Sequence, residues 1–340
     1  MVYKCLHFLS SQFDPEKAHY LVLSALKAFY HPWMIRKYLR NFPKKPISVF
    51  GLDFPNPIGL AAGLDKNGNY IDVLLGLGFG FVEIGAVTPK PQLGNPKPRL
   101  FRLLKSQAFV NHLGFNNLGI DYCVEQLKKR TVQGIVGINI GKNLTTPLKN
   151  SYEDYQHCLE KAYPYVDYAT INISSPNTPH LQKLQSEQYL PKLVNRLQEE
   201  QCRLEGQHRR RVPILFKISP DLTPTQLRFI ASVSLKYRLD GLIATNTTSN
   251  FQKSKKNQPA QSGIRGGLSG RPLFSRSLFV VKKLRTLVQN SVPIVGVGGI
   301  FSPEDATAFL QSGACLVQIY TGLVYKGPKL IRSIVSFIKS

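Results

Sequence analysis

Eight short apolar runs, each followed by glycine or polar residues and then by a helix-like stretch, constrain this chain more than any other feature. They lie near Ile58–Ala61, Phe81–Gly85, Ile135–Ile140, Asp167–Ile171, Ile214–Ile218, Gly241–Thr245, Ile294–Val297 and Leu316–Tyr320. Short, nearly continuous apolar runs suit strands buried on both faces, as in a parallel sheet covered by helices. Eight of them with intervening helices predict an α/β fold, a (β/α)8 TIM barrel with a small N-terminal helical extension. A doubly wound open sheet is the alternative. The first strand and loop lack its G-x-G-x-x-G opening, however, and Val297-Gly298-Gly299 is not that fingerprint either. The 340 residues accommodate one barrel of about 250 residues plus an appendage. We place the appendage at residues 1–46 and the barrel at 47–340. Arg99–Leu104 and Ala108–His112 read as a hairpin flanking the barrel mouth, and Asn250–Gly267 as a mobile polar loop.

The appendage opens with a helix start: Asp14 can cap, Pro15 takes the first helical position and Glu16 favours the positive end of the helix dipole. This helix is expected to run to about Tyr30. A second begins near Trp33-Met34-Ile35 and continues through Tyr38-Leu39. Residues 1–46 carry eight Lys or Arg against two acids, a net of +6. An apolar, aromatic, basic helix pair suits an anionic membrane surface. It equally suits a hairpin packed on the main domain, and the residues alone leave both open. There is no apolar run of about 18 residues to span a bilayer, and Cys5-Leu6-His7-Phe8-Leu9 is too short for a secretory signal. Five scattered cysteines without a C-x-x-C pair read as reduced packing residues, neither a disulfide frame nor a zinc site.

The net charge of +24 predicts attraction to polyanions but cannot choose among them. Local basic runs at His208-Arg209-Arg210-Arg211 and Lys253-Ser254-Lys255-Lys256 come without a zinc finger or helix-turn-helix. We read them as solvated surface and expect no nucleic-acid partner.

The C-terminal ends of the eight runs are where a barrel keeps its chemistry. The first ends in Ala61-Ala62-Gly63-Leu64-Asp65-Lys66, small residues that admit a flat ligand, then a cation. The second gives Gly85-Ala86-Val87-Thr88, the third Asn139-Ile140-Gly141-Lys142, the fourth Asn172-Ile173-Ser174-Ser175-Pro176-Asn177-Thr178. Lys217 closes the fifth, Thr245-Asn246-Thr247-Thr248 the sixth, Gly298-Gly299 the seventh and Tyr320-Thr321-Gly322 the eighth. Glycine-rich ends of the last two strands suit a phosphate. Neutral carboxamides and Lys217 suit a planar heterocycle attached to it. No H-E-x-x-H, G-x-S-x-G or Walker loop is present, so metal-assisted hydrolysis and phosphoryl transfer lose ground. Flavin mononucleotide fits this rim, and redox chemistry on a small polar molecule leads.

These residues resemble one family over nearly the whole chain, the quinone-dependent (class 2) dihydroorotate dehydrogenases of pyrimidine biosynthesis. The likeness rests on Asp14-Pro15-Glu16-Lys17-Ala18-His19, Gly59-Leu60-Ala61-Ala62-Gly63-Leu64-Asp65-Lys66, Asn111-His112-Leu113-Gly114-Phe115-Asn116-Asn117, Asn172–Pro179 and Gly267-Leu268-Ser269-Gly270-Arg271-Pro272. It implies that Ser175 removes the C5 proton of dihydroorotate while a C6 hydride passes to FMN. The pyrimidine would meet Lys66, Asn111, Asn172, Asn177, Asn246 and Thr247, with His112, Leu113, Gly114 and Phe115 shaping the pocket. FMN would meet Ala62, Gly63, Leu64, Asp65, Lys66, Ala86, Asn139, Asn172, Lys217, Thr245, Gly270, Gly299, Tyr320 and Thr321. Ser175, where class 1 relatives usually carry cysteine, and the helix pair favour class 2. That class implies a quinone tunnel under the helices and a peripheral position on the cytoplasmic side of a bacterial inner membrane. Ala86 departs from the family's usual Ser or Thr, and a lost hydroxyl contact weakens FMN binding by about 1 kcal/mol. The rivals are a tRNA-modifying flavin barrel, disfavoured by Ser175 where a cysteine acid is needed, and a catalytically idle scaffold.

Overall fold

The computed structural model describes residues 13–29, 31, 33, 38–253 and 265–338. In chain order the strands are β1 Ile47–Val49, β2 Leu52–Phe54, β3 Ile58–Leu60, β4 Phe81–Val87, β5 Leu100–Leu103, β6 Ala108–Asn111, β7 Ile135–Ile140, β8 Tyr168–Asn172, β9 Ile214–Ile218, β10 Gly241–Ala244, β11 Gly267–Gly270, β12 Ile294–Val297 and β13 Leu316–Ile319. Eight of them close a parallel barrel in the order β3, β4, β7, β8, β9, β10, β12, β13. Helices follow most barrel strands, as the (β/α)8 pattern requires. All eight predicted runs are barrel strands.

Alternation along the strands sorts the barrel interior into storeys. At the bottom, Phe81, Tyr168, Leu215, Ile243, Val295 and Leu316 make an apolar floor with Phe54. Room for it comes from Gly137, where a Cβ would stand 2.0 Å from the Tyr168 ring. The antiparallel hairpin of β1 and β2 closes this end, stacking Phe54 edge-on against Phe81 at 5.2 Å. One storey up, two residues further along the same strands, the interior turns polar with Glu83, Thr170, Lys217 and Gln318. Above that lies the C-terminal mouth.

Beside the mouth, β5, β6 and β11 form a three-stranded antiparallel sheet. The predicted hairpin supplies β5 and β6. The third strand, β11, falls at the edge of the segment read as a mobile loop, of which Asn250–Lys253 is a 3-10 turn. Residues 254–264 of that loop, with most of its basic run, lie outside the described residues. The other basic run is locally engaged: Arg211 bridges Glu205 at 3.0 Å and Asp240 at 2.9 Å.

Helix α1, Pro15–Ala28, begins as expected, with the Asp14 carboxylate accepting from the Lys17 N–H at 2.9 Å. It ends at Ala28 with Phe29 as its cap, and Tyr30 lies outside the described residues. Of the second predicted helix, residues 34–37 also lie outside them. Glu16 on α1 takes both forks of Arg99, at 2.7 and 3.1 Å, in a buried pair. Burial alone would raise the Glu16 pKa, but the Arg99 hydrogen bonds and charge hold it below the ordinary carboxylate value. Glu16→Ala, which leaves Arg99 without its carboxylate, should weaken docking of α1 by roughly 3 kcal/mol. The check is limited proteolysis around residues 29–46; an unchanged cleavage rate would show that this pair does not hold the helix. Apolar side chains of α1 and its cap are exposed, Leu21 and Phe29 among them, and Trp33 beyond it is 63% exposed. Among the described residues no helix is long and apolar enough to cross a membrane.

Candidate active site

A cavity of about 730 Å³ runs from beneath α1 into the barrel mouth. Its outer part is apolar, walled by Ala18, Leu21, Val22, Ala25 and Leu26 of α1 against Leu64, Leu74 and Leu77 of the barrel. His19 and Arg102 are the polar groups there. Burial, with the Lys66 charge adding to it, pushes the His19 imidazole down to about 4, so it is neutral at pH 7. Burial also lowers the Arg102 pKa, and its guanidinium lies over the Phe109 ring at 5.6 Å.

Further in, the walls are the strand ends. Ala62, Gly63, Ala86, Asn139, Lys217, Thr245, Gly270, Gly299, Tyr320 and Thr321 all reach the cavity, as does Leu64. So do Lys66, Asn111, Leu113, Gly114, Phe115, Asn172, Ser175, Asn177, Asn246 and Thr247. Two of the expected contacts stand elsewhere. Asp65 does not line the cavity: its buried carboxylate accepts the Asn69 and Tyr70 N–H groups at 2.9 and 2.7 Å, closing the turn after β3. His112 stands behind the wall, its Nδ1 3.3 Å from Asn177 Oδ1, where it steadies that amide.

The carboxamides form a connected set. Asn177 Nδ2 donates to Asn111 Oδ1 at 2.7 Å, Asn172 Nδ2 to Asn139 Oδ1 at 2.9 Å, and Asn246 Nδ2 to Asn172 Oδ1 at 3.3 Å. The two adjacent serines part company here. Ser174 is fully buried, its hydroxyl held by Asn172 and Asn246. Ser175 lines the cavity and its Oγ accepts the Asn177 N–H at 3.3 Å, with no His or carboxylate bound to it among the described residues. Half-buried Lys66 donates to the Gly63 carbonyl at 3.0 Å. Burial pushes its ammonium down to about 8, Glu16 opposing and Arg99 adding to the effect. Lys217 is likewise lowered by burial, with Glu83 opposing.

Gln318 gives the plainest sign of a ligand. The residue is on the cavity wall; its Nε2 donates to Glu83 at 2.8 Å, while its buried Oε1 has no hydrogen-bond partner among the described residues. A buried acceptor left unpaired costs about 1–3 kcal/mol, which a bound donor would recover. Neither Glu83 nor Gln318 was singled out from the sequence. The available signal was a single charged or amide residue inside an otherwise apolar barrel run.

Comparison with known proteins decides the family. The family model for dihydroorotate dehydrogenase matches residues 46–340. The chain belongs to the dihydroorotate dehydrogenases. A dihydroorotate dehydrogenase (quinone) of Coxiella burnetii is 58% identical, covering 99% of this chain and 97% of its own. One from Acinetobacter baylyi is 47% identical over 99% of this chain and 100% of its own. Among solved structures, a dihydroorotate dehydrogenase of Eimeria tenella in complex with ferulenol superposes with a TM-score of 0.83 at 36% identity, covering 95% of this chain and 90% of that one. In this member of the dehydrogenases, the amide-lined barrel mouth and the apolar channel under α1 are parts of one cavity.

Proposed function

We propose that the protein oxidises dihydroorotate to orotate and passes the two electrons through FMN in the barrel mouth to a membrane quinone that enters beneath α1. The observation that carries this reading is the single cavity that joins the carboxamide cluster around Ser175 to an apolar opening at α1. FMN fits the residues present: small walls at Ala62, Gly63 and Ala86, the cation Lys217, and the unpaired Gln318 Oε1. Bound there, it supplies the hydride acceptor and the relay to quinone.

The protein's own groups do the rest. Asn111, Asn172, Asn177 and Asn246 present both amide donors and acceptors, the complement of a pyrimidine's imide edges. Lys66 offers its charge to the substrate carboxylate. Ser175, as its alkoxide, takes the C5 proton as the C6 hydride leaves and becomes a neutral hydroxyl; the Asn177 N–H donated to its oxygen favours the alkoxide form beforehand. The exposed apolar side chains of α1, in a segment with a net of +6, support residues 1–46 as a peripheral membrane and quinone-access element on a barrel of residues 47–340.

The test is steady-state formation of orotate with a quinone acceptor; no orotate, or turnover with a nicotinamide and none with quinone, would overturn the reading. The pH dependence follows from Lys66. Its pKa is lowered to about 8, so the charge that binds the carboxylate is present below that pH and lost above it. KM for dihydroorotate should climb about tenfold per pH unit above that point. Lys66→Met should have a high KM that does not vary with pH across the same range.

A further inference from the structure

Glu83 is the most buried charged group in the barrel, fully inaccessible, and it does not touch the cavity. Four neutral donors converge on its carboxylate: Asn139 Nδ2 at 2.9 Å, Gln318 Nε2 at 2.8 Å, and the Tyr168 and Thr170 hydroxyls at 3.1 Å each. The Lys217 ammonium lies 4.0 Å away. Three of these partners, Asn139, Gln318 and Lys217, form the cavity wall directly above.

A carboxylate only accepts hydrogen bonds, and that fixes more than its own neighbours. Asn139 must turn its NH2 downward to Glu83, which leaves Oδ1 to accept from Asn172. Asn172 then offers Oδ1 to Asn246. The Asn139 carboxamide, free in isolation to rotate by half a turn, is thereby set from one buried anion and hands its orientation on to Asn172; the Ser174 N–H on Asn172 Oδ1 at 3.3 Å and the Thr247 N–H on Asn246 Oδ1 at 2.8 Å hold the rest of the row in the same sense. Gln318, also on the cavity wall, is set in the same way, its Nε2 held on Glu83.

We propose that Glu83 is a positioning residue for the redox reaction: it orients the Asn139 and Asn172 amides and Gln318 on the cavity wall and serves as counter-ion to Lys217. The proposal rests on FMN occupying the cavity. The groups facing Lys217 from the surrounding strands are Glu83 on β4, with the Tyr168 hydroxyl on β8 behind it. Strands β7 and β13 present the uncharged Asn139 and Gln318, and the residue after β10 is the uncharged Thr245. Glu83 is therefore the one acidic group holding the Lys217 proton among the described residues, against the burial that lowers its pKa.

The experiment compares wild type with Glu83→Gln, which keeps the volume and removes the charge, as holoenzymes. FMN dissociation is read by fluorescence and the FMN midpoint potential by titration from about pH 6 to 9. A residue that only fills space would tolerate the isosteric change in both readouts. A positioning role predicts FMN affinity about tenfold weaker, because the amides lose their fixed orientation. It also predicts a potential above wild type near pH 6, where Lys217 is an uncompensated cation, with the gap closing as pH rises and Lys217 loses its proton early. In a Lys217→Met background, Glu83→Gln should no longer move the potential. Should the Gln variant not accumulate, Glu83→Asp, which draws the charge back from Lys217, is read in the same way with smaller shifts. Coincident potentials at every pH, or a gap that survives in the Lys217→Met background, would overturn the proposal. Absence of FMN from wild type would instead overturn the cofactor reading on which it rests.

Discussion

Ser175→Ala should slow anaerobic reduction of bound flavin by dihydroorotate about 10³-fold while FMN content stays at the wild-type level. The serine is buried at the cavity wall, and removing one hydroxyl leaves the neighbouring amides in place. Ser174 cannot substitute, because its hydroxyl is fully buried and committed to Asn172 and Asn246. No His or carboxylate bonds to Ser175 among the described residues, so the hydroxyl must be made basic by its surroundings. The Asn177 N–H at 3.3 Å and the electron demand of the bound ring are the available sources. Ser175→Cys carries a thiol that ionises more readily, so it should recover part of the rate as pH rises toward 9. Stopped-flow reduction is the measurement. A Ser175→Ala protein reduced at the wild-type rate would remove Ser175 from proton transfer.

The barrel was legible because each of its strands is buried on both faces, so the apolar runs stand out against polar loops and amphipathic helices. The rim was legible for a related reason: Asn139, Asn172, Lys217 and Thr245 sit at the carboxyl ends of runs whose lengths fix where they stop. Less visible were elements without a periodic signal. Strand β11 is Gly-Leu-Ser-Gly, too small and polar to read as a strand, and it exists because β6 offers it an edge. The hairpin of β1 and β2 owes its place to Phe54 filling the barrel floor, a tertiary event. The side-chain directions of Asp65 and His112 were hidden for a third reason. Both residues adjoin true wall residues, and only the turn after β3 and the contact with Asn177 reveal that their side chains face away. Glu83 hid inside an apolar run, where sequence gives the charge but not its four partners.

The second large effect concerns the channel. Ala18, on the face of α1 that roofs the cavity, is 4% exposed, and Ala18→Trp would set an indole across the passage between the helix and the flavin wall. Substrate and quinone halves of the reaction should then separate. Reduction by dihydroorotate stays within about twofold of wild type, since the amide cluster lies deeper. Reoxidation by a lipophilic quinone falls about 100-fold, because displacement from the reacting geometry by even an ångström costs that much. Retained FMN and an unchanged reduction rate in this variant also show that the barrel is intact.

The claim that one cavity serves both partners is tested most directly by following the flavin spectrum anaerobically, first on adding dihydroorotate and then on adding quinone, in wild type and Ala18→Trp. Bleaching is expected in both, and rapid return of colour in wild type alone. Equal return in the blocked protein, or loss of bleaching with reoxidation intact, would contradict it.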